Sequence, residues 1–202
     1  MIRPVLTLAI STASPALSLA RFDGDRLVGH DHRIIGRGHA EALMPAIAAL
    51  MGDDRVDAII IDTGPGSFTG IRIGVAAARA LGLAWGIPVT GCTGAALVAA
   101  RAFALRPGLA GVTVLLDAGR GQVLRQHIAA DFIASPIETI AAEALVVTPG
   151  EATAGPLAPP QPGDRIHDGQ PDVAFARHLP VDIRSLPPAA FYVRPPDAVL
   201  PL

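Results

Sequence analysis

The segment best suited by residue type and spacing to do chemistry is Asp62-Thr63-Gly64-Pro65-Gly66-Ser67-Phe68-Thr69-Gly70-Ile71-Arg72-Ile73-Gly74. It follows a short apolar run and opens a helical pattern. Backbone N–H groups at a helix N-terminus attract anions. Gly64, Gly66, Ser67, Thr69, Gly70 and Arg72 therefore form a candidate anion or nucleotide loop. The spacing departs from the known phosphate loops. A Walker loop needs Gly-Lys-Ser/Thr, whereas Ile71-Arg72 follows Gly70. A dinucleotide fingerprint needs GxGxxG, whereas Gly70 comes one residue too late after Gly64 and Gly66, and no βαβ unit precedes it. The GxSxG elbow of esterases is absent. The plainer reading, which the spacing favours, is a tight turn with Ser67 or Thr69 as helix N-cap and glycines that let helix and sheet pack closely.

Other chemistry is narrowed by composition. All 16 basic residues are Arg, so a P-loop lysine, a Schiff-base lysine and a Ser–Lys dyad are excluded. The single cysteine, Cys92, excludes disulfides and thiolate-rich zinc sites, and permits a reducing compartment. No His or Lys lies near Cys92 in sequence to activate it, so it reads as a small buried residue. His30 and His32 share one face of a strand, with His39 near in sequence. A metal site is conceivable there, but no further ligand of suitable spacing appears, so exposed edge-strand histidines and no metal are expected. Asp53, Asp54 and Asp57 read as solvated charges on a connection. Arg72 and Arg79 lie on one helical face, as snorkelling side chains or as an anion or partner contact.

The elements that must position these residues follow from the hydrophobic pattern. The chain has 202 residues, half of them apolar, 17% charged, with net charge −2. That excludes disorder and makes an autonomous nucleic-acid binder an unfavourable reading. No leader or membrane-spanning stretch is legible, because Arg72 and Arg79 break the most apolar run. Residues 5–11 and 16–22 read as strands around Thr12-Ala13-Ser14-Pro15, and 26–33 as a third, half-exposed strand. Residues 39–51 read as a helix, with a kink or late start at Pro45. Residues 57–62 suit a buried strand, 63–70 a loop, 71–85 a helix, a short strand begins at Val89, and 93–105 suit another helix. Residues 112–117 and 121–128 read as a hairpin around Ala118-Gly119-Arg120. Beyond it, Pro149, Pro156, Pro159, Pro160 and Pro162 mark loops. The two strand-rich starts, at Val5 and Val112, hint at a duplicated half in a mixed α/β architecture.

The helices at 39–51 and 71–85 are too apolar for their position. The first carries only His39 and Glu41 as polar side chains, the second only Arg72 and Arg79. A helix covering one sheet needs a polar back. Small residues (Gly74, Ala76, Ala77, Ala78, Ala80, Gly82) would let another helix approach closely. The pair therefore reads as a docking face for another protein.

The sequence resembles the TsaB (YeaZ) family. The matching segments are Leu8-Ala9-Ile10-Ser11-Thr12, Gly38-His39-Ala40-Glu41-Ala42-Leu43-Met44-Pro45, the Gly64–Gly74 loop, Gly86-Ile87-Pro88-Val89, and Tyr192-Val193-Arg194-Pro195-Pro196-Asp197-Ala198. The resemblance implies an α/β, actin-like ATPase (ASKHA) fold with two subdomains of mixed sheets flanked by helices. Residues 1–105 would form the N-terminal subdomain with the partner-binding helices, and 106–202 a smaller, Pro-rich one. It implies a cytoplasmic, non-catalytic subunit that binds and stabilises TsaD, the catalytic subunit that adds a threonylcarbamoyl group to the adenosine beside the tRNA anticodon. The ATPase TsaE would join, tRNA would be met only through the complex, and the chain alone would pair with itself. The two over-apolar helices would supply the interface, with His39, Leu43, Met44, Ile47, Leu50, Ile71, Val75, Ala76, Arg79 and Leu83 as contact residues.

TsaD-like sequences carry an HxxxH metal pair just after the strand that Val89 begins; here Cys92-Thr93-Gly94-Ala95-Ala96-Leu97-Val98 holds no His. Where actin-like ATPases offer an Asp toward the nucleotide's Mg²⁺, the matching position is Ser11, a poorer ligand. No cofactor is expected in the chain itself, with a nucleotide only at the seam of the complex. The rival reading is an enzyme that binds and hydrolyses ATP through the glycine loop and Arg72, with a peptidase a distant third.

Overall fold

A computed structural model describes residues 5–159 and 169–193. The first sheet is built from β1 (Leu6–Ser11), β2 (Ala16–Asp23), β3 (Arg26–Ile34), β4 (Ala58–Asp62) and β5 (Val89–Cys92), in the order β3-β2-β1-β4-β5. β1, β2 and β3 form an antiparallel meander, and β4 and β5 add in parallel. Side chains alternate between the faces of a strand. Leu8, Ile10, Leu17, Leu19, Ile59 and Ile61 therefore face one way, against α1 (His39–Met51) and α2 (Phe68–Trp85). Ala9, Ala20, Phe22 and Ile60 face the other way, against α3 (Gly94–Leu105) and the 3-10 turn Val173–His178.

The second sheet contains β6 (Gly111–Gly119), β7 (Gln122–Ala129), β8 (Glu138–Ala141) and β9 (Thr153–Ala154), in the order β8-β7-β6-β9. Its pairing repeats that of the first sheet. A hairpin carries an antiparallel strand on one side and a parallel strand on the other, so β6, β7, β8 and β9 correspond to β1, β2, β3 and β4. α3 lies between the two cores: Ala96, Leu97 and Ala100 join the first, and Ala95, Val98, Ala99 and Ala102 join the second. Its all-round apolar composition is thus explained by burial on both sides.

Several boundaries differ from the sequence reading. α2 starts at Phe68 rather than Ile71, because Ser67 caps it by accepting the Gly70 N–H at 3.2 Å. α1 starts at His39 and runs through Pro45 with no late start; Pro45 and Glu41 are both exposed, so the Glu41 carbonyl, which loses its helical donor at Pro45, lies on the solvent side. The second hairpin turns at Arg120-Gly121, both at positive φ, as a two-residue hairpin loop requires. The returning segment 169–193 belongs spatially to the first sheet: Leu186 bridges Gly91, and the Phe191 N–H donates to the Thr63 carbonyl. Pro160, Pro162 and the 194–198 part of the tail motif lie outside the described residues. Among the described residues no helix is long and apolar enough to cross a membrane.

Candidate functional site

α1 and α2 lie side by side on the first sheet and touch each other. Their inward faces fill the core and their outward faces are exposed and apolar. On α1 the exposed positions include Ala40, Met44, Ala48 and Ala49; on α2 they include Ala76, Ala80, Leu83 and Ala84, with Arg72 and Arg79. Leu83 is 87% exposed and Met44 46%. Among the described residues nothing seals these outward faces, and their alanines leave room for another backbone to approach.

The contact residues expected from sequence divide accordingly. Met44, Ala76, Arg79 and Leu83 lie on the outward face, and Leu50 is half-buried. His39, Leu43, Ile47, Ile71 and Val75 must be corrected, because they are buried in the chain's own interior. The buried His39 ring lies 3.3 Å from the Ala16 carbonyl. Gly74 and Gly82 also point inward: Thr12 and Ile61 pack over the first, Val89 over the second, so these glycines admit the sheet and not a partner.

The glycine loop is an internal joint. The Gly64 N–H donates to Asp62 Oδ1 at 2.9 Å, the Ser67 N–H to the Ala13 carbonyl at 2.7 Å, and the Ile71 N–H to the Ser67 carbonyl. Thr12 Oγ1 donates to the Gly70 carbonyl at 2.7 Å. These N–H groups, which a phosphate would need, are spent on the chain. A Cβ at Gly66 would fall inside the Ala13 carbonyl, and one at Gly70 inside that of Thr12. Both glycines thus serve close packing between the β1–β2 turn and α2. Gly70→Ala is expected to cost about 2–3 kcal/mol of stability, the scale of forced overpacking, and urea unfolding measures it. A loss under about 0.5 kcal/mol, the scale of an ordinary surface change, would show that the contact relaxes freely. Thr69 is exposed, and Arg72 lies with its guanidinium carbon 3.6 Å from the Phe68 ring centre while its Nε donates to Tyr192 Oη at 2.9 Å.

Asp62 organises this joint, and its role was not visible in the spacing. It is buried, accepts from Ser11 Oγ at 2.7 Å and from the Gly64 N–H, and sits beside the N-terminus of α3, which Thr93 caps. Burial raises its pKa to about 6, against the opposing effect of these hydrogen bonds. Cys92 is buried next to it; desolvation first, and the Asp62 charge second, push its thiol well above the ordinary value. That suits the inert, buried role expected for it.

The histidines are not plain exposed edge residues, although β3 is an edge strand. His30 Nε2 lies 2.9 Å from Asp172 Oδ1, and His32 Nδ1 lies 3.0 Å from Ser18 Oγ and 3.8 Å from Asp172 Oδ1. The His32 side chain is only 9% exposed and that of His30 34%. His39 does not join them. Asp172 reaches them from the returning segment, far beyond any local spacing rule. Burial would raise the Asp172 pKa, but the hydrogen bonds from His30 and the Ala174 N–H, with the charges of His30 and His32, outweigh it and bring it to about 2. The same hydrogen bond raises the His30 pKa against the effect of burial.

Residues 32–175 match the family model described as TsaD, tRNA N6-adenosine threonylcarbamoyltransferase. An uncharacterized protein of Mycobacterium tuberculosis is 41% identical over 91 residues, which cover 42% of this chain and 43% of the relative. The TsaB protein of Haemophilus influenzae, named for tRNA threonylcarbamoyladenosine biosynthesis, is 30% identical over 136 residues, covering 62% and 56%. The structure of YeaZ from Pseudomonas aeruginosa superposes with a TM-score of 0.63 at 27% identity, covering 71% of this chain and 70% of that one. This chain belongs to the TsaB/YeaZ family. Its fold is the actin-like ATPase (ASKHA) fold, and the repeated sheet topology is the duplicated half of that architecture. The chain spans about half the length of the curated relatives it matches. As a family member it keeps Ser11 fully buried and turned toward Asp62, and its 92–98 stretch forms the capped start of α3.

Proposed function

We propose that this chain is a non-catalytic, cytoplasmic subunit for threonylcarbamoylation of tRNA, and that it docks the catalytic subunit TsaD through the outward faces of α1 and α2. The observation that carries this reading is the exposed apolar surface of two adjacent helices, with Leu83 and Met44 among alanines. An apolar face of that kind costs solubility unless a partner covers it. Helix-on-helix packing is the recognition it fits, since small side chains allow close approach. Two further features support assigning the chemistry to the partner. The Ser11 hydroxyl is buried and donates to Asp62, so it is committed to a contact inside the chain. The 92–98 stretch holds no imidazole, so the histidine metal pair of TsaD-like sequences has no counterpart there. The TsaB names of curated relatives place them in the same modification.

The test mixes the purified chain with TsaD and measures mass by light scattering on a sizing column, then adds TsaE and ATP and assays transfer to tRNA. A one-to-one complex, and transfer that requires the chain, are expected. A chain that ignores TsaD, or that alone binds ATP–Mg²⁺ at micromolar concentration and turns it over, would overturn the proposal in favour of an enzyme. Without TsaD, the same face is expected to pair two copies of the chain, read in the same experiment.

A further inference from the structure

The cluster on β3 lies on the opposite face of the first sheet from the docking helices. His30 and His32 pair with Ala20 and Ser18, which face α3 and the 3-10 turn rather than α1 and α2. Nothing in the proposed docking role uses it. We propose that His30, His32 and Asp172 form a binding site for a divalent transition metal of the zinc class, one that ties the returning C-terminal segment to the edge strand.

The donor set is the first argument. Two imidazoles and one carboxylate suit borderline cations such as Zn²⁺, and are poorly suited to Mg²⁺ or Ca²⁺, which prefer oxygen. Convergence is the second. One ligand atom from each residue lies within 4.8 Å of the others. Four ligands about 2.0–2.1 Å from zinc stand roughly 3.3–3.4 Å apart at the corners of a tetrahedron. The separations from Asp172 Oδ1, 2.9 Å to His30 and 3.8 Å to His32, bracket that value. Seating the ion would require the two rings to adjust until their nitrogens, now within 4.8 Å of each other, stand at the same spacing.

The surroundings provide the third argument. Ligands of a metal are normally held in place by a further ring of hydrogen bonds. Here the Ala174 N–H donates to Asp172 Oδ1 at 2.9 Å, and Ser18 Oγ does so at 3.3 Å while accepting from the Val173 N–H at 3.1 Å. The two rings stack at 6.0 Å with an interplanar angle of 27°, so they approach the carboxylate side by side. The partly exposed His30 side leaves a fourth position for water. Three protein ligands with water in the fourth position complete the four-coordinate shell that zinc takes. The ion would replace the hydrogen bond between His30 Nε2 and Asp172 Oδ1 and the one between His32 Nδ1 and Ser18 Oγ.

The test strips the full chain with a chelator, then titrates Zn²⁺ by calorimetry and Co²⁺ by visible absorption. One ion per chain is expected, with the intense visible bands of tetrahedral Co²⁺ and a higher thermal midpoint in the presence of Zn²⁺. His30→Asn and His32→Asn should each weaken Zn²⁺ binding by at least roughly 100-fold, more than the loss of an outer-shell partner costs. His127→Asn, a change at a histidine on the second sheet, should leave it unaltered. The proposal is overturned if wild-type Co²⁺ shows only the pale spectrum of the hexa-aqua ion, or if His127→Asn weakens binding as much as His30→Asn. The wild-type spectrum decides even if a variant fails to fold.

Discussion

Replacing Leu83 with Glu is expected to weaken the complex with TsaD at least 100-fold, about 3 kcal/mol, while leaving the thermal midpoint of the isolated chain within a degree or two. Leu83 sits on the outward side of α2 and is 87% exposed, so the folded monomer loses almost nothing when it is changed. In a helix-on-helix interface the same position is desolvated, and a carboxylate brought there without a partner carries its full burial cost. Ala80→Arg acts differently, by filling the gap that lets two backbones approach, and should match it in size. Val146→Glu is the control: it adds the same charge at a residue 74% exposed, far from α1 and α2 in sequence. Co-elution with TsaD and calorimetry read all of these. If Leu83→Glu and Ala80→Arg both bind as the wild type does, the outward face is not the docking surface. Leu43→Glu could not make this distinction, because Leu43 is 1% exposed and its change would unfold the subunit.

Asp62→Ala is expected to cost about 2–4 kcal/mol of folding stability. It leaves the Ser11 hydroxyl and the Gly64 N–H buried without their acceptor, at the point where β1, the glycine loop and α3 meet. Asp62→Asn separates hydrogen bonding from charge. Its oxygen can take the Gly64 N–H, its amide can donate to the Ser11 hydroxyl, and no charge is buried. The folded pKa is about 6 against 3.8 for the free side chain, so the native state binds more protons than the unfolded chain between these values. Stability must therefore fall as pH rises from about 4 to about 6, by at most about 3 kcal/mol. Urea unfolding across that range should show the slope in the wild type and lose this part of it in Asp62→Asn. A slope that is the same in both proteins would mean that Asp62 does not carry it.

Much of the architecture was legible from pattern alone. The meander, the buried strand at β4, the three long helices and the second hairpin follow from periods of two and 3.6 and from turn residues. The loop's function in packing was also legible, since its spacing fits no known phosphate loop and Ser67 sits where an N-cap belongs. Sequence pattern puts the start of α2 too late because Gly70 reads as a breaker, whereas glycine alone fits beneath the Thr12 carbonyl inside the first helical turn. The pairing of His30 and His32 is not legible in the sequence, because their partner, Asp172, is 142 residues from His30, beyond any spacing rule.

The chain's own pattern determined that two helices carry more apolar surface than one sheet can use, and that their excess must be met by something. It determined which residues are absent: lysine everywhere, and imidazole in the 92–98 stretch. Only the tertiary structure decided which side of each helix is left over. Period and composition report how apolar a helix is, but not which of its faces the sheet takes, and a sheet takes the face whose side chains fill its grooves. Hence Leu43, Ile47, Ile71 and Val75 went inward and Met44, Ala80 and Leu83 outward. The same holds for the histidine cluster, because a carboxylate finds its imidazoles through the folding of the chain between them.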